Sequence, residues 1–230
     1  MITFKNIELT NYLKARLNLT EDVFNENDLL NIEEIHLNSK NFADEYNFVD
    51  INELKYFKNL DVLKLSNLTV NEDVVNILNS LKNLNEISFV NCVFEKGFNL
   101  NESSIEKLII NNCTINNDGF IYEMNYLKEL NIIGSYLNFK KLSKFYFLKS
   151  LNIASSTVVF VDDINLPSLE ELVLDYSNIT DLKFVLKLNN LKRLSLSKNQ
   201  INENSLIIGN LIKNGVQIYE NNIIKIEEVK

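Results

Sequence analysis

The stretch Leu127-Lys-Glu-Leu130-Asn-Ile132, followed by Leu148-Lys-Ser-Leu151-Asn-Ile153, Leu169-Glu-Glu-Leu172-Val-Leu174 and Leu191-Lys-Arg-Leu194-Ser-Leu196, decides how this chain is read. Upstream lie matching phrases: Ile32-Glu-Glu-Ile35-His-Leu37, Leu60-Asp-Val-Leu63-Lys-Leu65, Leu84-Asn-Glu-Ile87-Ser-Phe89 and Ile105-Glu-Lys-Leu108-Ile-Ile110. From Leu84 onward the leading residues advance by 21, 22, 21, 21 and 22, whereas the two earlier steps are 28 and 24. A frayed ninth copy, Val216-Gln-Ile218, lacks the leading residue. Regular recurrence at this period is the signature of a stacked repeat array.

The fourth and sixth places of each phrase alternate, so they share one face of a short strand. After each strand the chain must turn back to begin the next. Asn71 to Leu81 shows apolar residues at helical spacing behind a capping Asn71, and Phe120, Met124 and Leu127 are similarly spaced. Each copy buries about four apolar side chains, at ~1.5–3 kcal/mol apiece. Ordering its backbone costs ~1–2 kcal/mol per residue, so a lone copy is unstable and neighbours must stack. Nine strands at ~4.8 Å spacing make a parallel sheet about 38 Å long.

The phrase resembles the leucine-rich repeat, L-x-x-L-x-L-x-x-N/C-x-L. Three places after the sixth-place residue stand Cys92, Cys113, Ser135, Ser156, Ser177 and Asn199, with Lys40 and Leu68 in the first two copies. Two places further stand Phe94, Ile115, Leu137, Val158, Ile179 and Ile201. The resemblance implies an α/β leucine-rich-repeat solenoid: right-handed, with a curved parallel β-sheet on the concave face and short helices, 3-10 turns and loops on the convex face. It also implies that the Asn/Cys site faces inward and hydrogen-bonds the backbone of the turn, a role open to a serine hydroxyl. Residues 24–35 and 50–60 are similar to the helical start and return segment of bacterial internalin-like proteins.

One continuous domain is expected: a helical N-terminal cap over residues 1–31, about eight repeats over 32–212, and a last partial repeat with a C-terminal cap over 213–230. Phe4, Ile7, Leu9, Leu13 and Leu17 supply an apolar stripe for the first cap, and Thr20 opens a second helix with an acidic first turn. Residues from Ile218 to Val229 close the far end.

Composition narrows function. The chain has 230 residues and a formal net charge of −8, the wrong sign for a generic nucleic-acid footprint. Two cysteines exclude a disulfide scaffold. The amino terminus carries no basic leader before an apolar run, and no run approaches ~18 apolar residues, so a cytoplasmic setting without a membrane span is expected.

Catalytic residues, a metal site and cofactors are not expected. His36 is the sole imidazole, which removes every two-histidine metal motif. Cys92 and Cys113 occupy equivalent sites in adjacent copies and read as inert ladder thiols. The five glycines at 97, 119, 134, 209 and 215 make no phosphate cradle. The acidic pairs Glu33-Glu34, Asp162-Asp163 and Glu170-Glu171 read as solvated rim.

Residues flanking the inward positions map the concave face. One column runs His36, Lys64, Ser88, Ile109, Asn131, Asn152, Val173, Ser195, Gln217. The next runs Asn38, Ser66, Val90, Asn111, Ile133, Ala154, Asp175, Ser197, Tyr219. Val90, Ile109, Ile133 and Val173, with Asp175, Tyr176 and Tyr219, are the candidate binding residues, because an apolar patch on an otherwise polar sheet marks an interaction surface. Charge runs from Glu33, Glu34, Asp61 and Glu86 near the start to Lys192, Arg193 and Lys198 near the end, a gradient able to orient a partner.

The expected function is a non-catalytic module that binds a protein or peptide on the concave sheet, as a monomer. A self-associating scaffold and a regulatory subunit of a cytoplasmic enzyme, such as a phosphatase, are the alternatives.

Overall fold

The repeated phrase forms the strands of a single long sheet. In the computed structural model, which describes residues 1–39, 51–95, 100, 104–115, 119–159 and 164–227, the strands in chain order are β1 (Glu34–Asn38), β2 (Val62–Ser66), β3 (Thr69–Val70), β4 (Glu86–Val90) and β5 (Val93–Phe94). Then come β6 (Lys107–Asn111), β7 (Thr114–Ile115), β8 (Glu129–Ile133), β9 (Tyr136–Asn138) and β10 (Ser150–Asn152). The last are β11 (Thr157–Val159), β12 (Glu171–Val173), β13 (Arg193–Leu196), β14 (Gln217–Glu220) and β15 (Ile224–Ile226).

The main sheet has ten strands in the order β1-β2-β4-β6-β8-β10-β12-β13-β14-β15. Leu130, Leu151, Leu172 and Leu194 pair directly across successive strands, as do Ile35, Leu63, Ile87 and Leu108. All of these are buried. Two short parallel sheets, β3-β5-β7 and β9-β11, lie beyond the turns. The nine-strand parallel expectation is exceeded by one, because β15 returns antiparallel to β14.

Between strand and return, the chain kinks through left-handed backbone at Asn67, Asn91, Asn112, Gly134, Ser155 and Tyr176, all with positive φ. Asparagine tolerates this region better than other side chains. At Gly134, where φ is +62°, a Cβ would also press on the Asn112 side chain, which would have to shift. The return segments are helical in places: an α-helix at Glu72–Ser80 and 3-10 turns at Ile51–Tyr56, Gly119–Glu123, Phe139–Lys144 and Lys183–Lys187.

Five α-helices are described: α1 (Ile7–Leu17), α2 (Glu26–Leu29), α3 (Glu72–Ser80), α4 (Lys198–Glu203) and α5 (Ser205–Lys213). Asn6 caps α1 by accepting from the Leu9 amide, and Asn71 caps α3 through the Val74 amide. Leu9 and Leu13 are buried, but Ile7 points to solvent and leaves the expected stripe. The helix expected from Thr20 does not begin there. Phe24 is buried and bridges Ile2 as a strand, so α2 waits for Asn25, which forms a capping box with Asp28. The Tyr12 hydroxyl of α1 donates to the Glu34 carbonyl at 2.9 Å, tying the helix to the start of β1.

Lys40, Gly97, Asp162-Asp163, the Asp50 start of the second internalin-like segment and the Val229 end of the closing segment lie outside the described residues. Among the described residues, no helix is long and apolar enough to cross a membrane.

Candidate functional site

The strand register sets the concave face. His36, Lys64, Ser88, Ile109, Asn131, Asn152, Val173 and Ser195 stand opposite one another along β1 to β13. Tyr219, and not Gln217, completes this column beside Ser195. The frayed last copy is therefore paired two residues away from the expected register. A slip of two keeps every side chain on its face, so the pattern Val216-Gln-Ile218 could not distinguish the two alignments.

Val90, Ile109 and Ile133 are half-buried members of the central rungs. Around them, Lys107 Nζ lies 3.2 Å from Glu86 and 3.6 Å from Glu129. Burial works against the Lys107 charge, but these two carboxylates outweigh it and raise its pKa. Of the residues in the expected charge gradient, Glu34, Lys192 and Arg193 stand in rung-to-rung pairs, Glu34–Lys64, Glu170–Lys192 and Glu171–Arg193, and Glu106–Lys128 repeats the pattern mid-sheet. Lys64 first, then His36, lowers the Glu34 pKa.

At the C-terminal end the expectation of an open surface is corrected. Val173 and Asp175 are each only 5 % exposed, and Ser195 is fully buried. The turn between β14 and β15 lies across this end: the Asn222 amide donates to Ser195 Oγ at 2.7 Å. Arg193 joins the same closure. Its guanidinium stacks 4.0 Å over the Tyr219 ring and donates to Asn222 Oδ1 at 2.6 Å. Burial pushes the Asp175 carboxyl above its ordinary range, against the opposing hydrogen bond from Ser195. Its Oδ1 has no partner among the described residues. Tyr176, by contrast, is exposed in the strained left-handed position that Asn, Gly or Ser holds in the preceding copies.

The inward turn sites form a ladder. The Cys92 amide donates to Cys113 Sγ, the Cys113 amide to Ser135 Oγ and the Ser135 amide to Ser156 Oγ. Both thiols are free and buried, and donate to main-chain carbonyls: Cys92 to Leu65 and Val90, Cys113 to Phe89 and Asn111. The hydrogen bond with Cys92, followed by burial, pushes the Cys113 thiol up. Asn199 does not continue the ladder. Ser197 caps α4 there, which turns Asn199 outward, and Gln200 reaches back instead, donating to the Leu174 and Ile179 carbonyls and to Ser177 Oγ.

Solved structures share this architecture. Internalin C2 of Listeria monocytogenes superposes with a TM-score of 0.54 at 17% identity, covering 84% of this chain and 94% of that one. A leucine-rich-repeat protein of Leptospira interrogans gives 0.53 at 16% identity, over 88% and 50%. This chain folds as a leucine-rich-repeat solenoid. No family model matches it. In sequence it is 27% identical over 217 residues to a protein named tubulin-specific chaperone E from Dictyostelium discoideum, aligned over 64% of this chain. The chain spans about 41% of that relative's length.

The solenoid also carries a feature that the strand columns miss. In five copies, one residue before the leading apolar position, a polar side chain clips its copy to the preceding one. Asn59 donates to the Leu30 carbonyl, Asn83 to Lys58, Ser104 to Lys82, Ser168 to Tyr146 and Asn190 to Pro167. In the two middle copies this place holds Tyr126 and Phe147, both more than half exposed, with Tyr146 exposed beside Phe147. The signal was present in the sequence, as a column reading Asn, Asn, Ser, Tyr, Phe, Ser, Asn. On the opposite, strand-exit edge an open recess of about 450 Å³ is lined by residues including Cys113, Gly134, Ser135 and Tyr136.

Proposed function

We propose that this solenoid is a non-catalytic protein-binding module whose contact surface is centred on the middle copies. The observation that carries the reading is the local break in the repeat rule there. Two neighbouring copies replace a hydrogen-bonding Asn or Ser with the exposed rings of Tyr126 and Phe147 on the strand-entry edge, and the central strands carry the half-exposed apolar residues Ile109 and Ile133 on their concave face. Exposed aromatics are low-entropy anchors, and departures from local consistency concentrate where function requires them. Val90 extends this surface along the sheet, and Tyr176 extends it at the strand-exit side. Val173 and Asp175 are withdrawn from it by their burial, and Tyr219 by its stacking on Arg193. Residues 1–31 and 213–230 act as the caps that keep the repeats of 32–212 in register. The absence of chemistry in this reading is supported by His36, which is paired with Glu34 on the exposed face of β1, and by thiols that donate to carbonyls.

A second reading is that the chain handles or regulates a client protein, favoured by the likeness to a protein named as a tubulin-specific chaperone. Both readings are tested by binding from a native extract and, separately, to purified tubulin. The wild type is compared with Tyr126→Ala/Phe147→Ala and Ile109→Asp/Ile133→Asp. Loss of the same bound protein in both variants supports the central surface, and retention in both contradicts it. Tubulin binding that the variants abolish selects the second reading.

A further inference from the structure

The two ends of the main sheet are finished differently. At the first, α1 is tied to β1 by the Tyr12 hydroxyl, which donates to the Glu34 carbonyl. At the other, β15 is the outermost strand, and its outer edge has no strand partner among the described residues. Ile223 beside it is 81 % exposed, and Ile224 also stands in solvent. An open strand edge is a template for another strand, and natural proteins blunt it with charge, lysine above all. Here Lys225 sits in the middle of the edge, and Glu227 comes two residues on, with Ile226 between them.

We propose that two copies of this chain associate edge to edge through β15, antiparallel about a two-fold axis centred on Ile226. In that register Ile226 faces its own symmetry mate, and Lys225 of each copy faces Glu227 of the other. The competing register centred on Lys225 sets lysine against lysine, which is unfavourable for residues directly opposite. The charge pattern that blocks indiscriminate edge pairing thus favours the register centred on Ile226, in which opposite charges meet. Ile226 packs partly against the core, opposite Ile218 of β14. An open recess of about 310 Å³ beside it, lined by Ile212, Gly215 and Val216 among others, receives the mate's Ile226. The contact is isologous, so it closes at two copies and does not propagate. Its strand is short, well below the size of a standard interface, so the dimer is concentration-dependent. Such a dimer replaces the monomer expected from sequence and is independent of the surface proposed for partner binding.

The test is sedimentation velocity of the full chain over a concentration series up to roughly 1 mM at physiological salt, where charges on separate copies are screened beyond ~8 Å. The samples are wild type, Lys225→Glu, Glu227→Lys and the double charge reversal. Each single variant acts twice across the axis and weakens dimerisation by roughly tenfold. The double variant restores it. Both side chains are exposed, and unchanged circular dichroism checks that the variants fold. A wild type that remains monomeric throughout, a dimer that the single variants leave intact, or a double variant no better than the singles overturns the proposal.

Discussion

The middle of the solenoid and its C-terminal end solve the same problem with different chemistry. Each turn leaves main-chain groups facing the interior, where an unpaired one costs about 1–3 kcal/mol. From Cys92 to Ser156 a short side chain at one repeating place meets the need, one link per copy. Beyond Leu196 the repeat gives out and two longer amides take over. Gln200 serves two carbonyls and a hydroxyl, and Asn204 donates to the Thr180 and Gln200 carbonyls while accepting from the Leu182 amide. Repetition distributes the work over many equivalent sites, whereas the end concentrates it in two residues.

This contrast is open to breaking. The largest effect is expected from Leu151→Ala, which removes a fully buried rung between two others and costs about 2–5 kcal/mol by chemical denaturation. Ile218→Ala is expected at the low end of that range, because only the β14–β15 hairpin lies on its outer side. Equal losses would show that the two ends of the stack are held alike. Next, Gln200→Ala strands several acceptors and costs about 2–3 kcal/mol, while Ser135→Ala leaves the Cys113 amide unpaired and costs about 1–2 kcal/mol. A reversed order would remove the claim that the end concentrates its hydrogen bonding.

Asp175→Asn sharpens the picture at the covered end. Burial raises the folded-state pKa of Asp175, so the folded protein favours the protonated carboxyl. The penalty of the charge is absent in acid below the ordinary carboxylate range. It grows as pH rises toward the raised value and is complete above it. The variant is therefore expected to be more stable than wild type at neutral pH, with the difference closing as the solution is acidified; thermal melts at several pH values check this. The smallest effect belongs to the middle copies, where Phe147→Asn restores the clip found in five other copies and adds about 0.5–1 kcal/mol. A simultaneous loss of partner binding would mark the ring as retained for contact at the expense of stability.

The same contrast separates the features legible in the sequence from those that were not. The rungs, their inward leucines and the Cys–Ser ladder repeat at a fixed period, so every copy corroborates the next. The exchange of Asn199 for Gln200 and the two-residue offset of Tyr219 occur once each and have no second copy to test them against. The burial of Val173 and Asp175 depends on a hairpin turn about fifty residues downstream, a contact that no local pattern encodes. Tyr126 and Phe147 were visible as a change in a polar column, but only once the structure gave that column its hydrogen-bonding role.

The rung-by-rung register carries the whole account, and site-directed cross-linking tests it most directly. In a chain with Cys92→Ser and Cys113→Ser, cysteines replacing Ile109 and Asn131 face each other on β6 and β8, about 4.8 Å apart and within disulfide reach. A cysteine pair replacing Ile109 and Asn152 is separated by an intervening strand. Mass spectrometry after mild oxidation is expected to find an intramolecular bond in the first pair and none in the second. Cross-linking of the second pair without the first would contradict the stacked register.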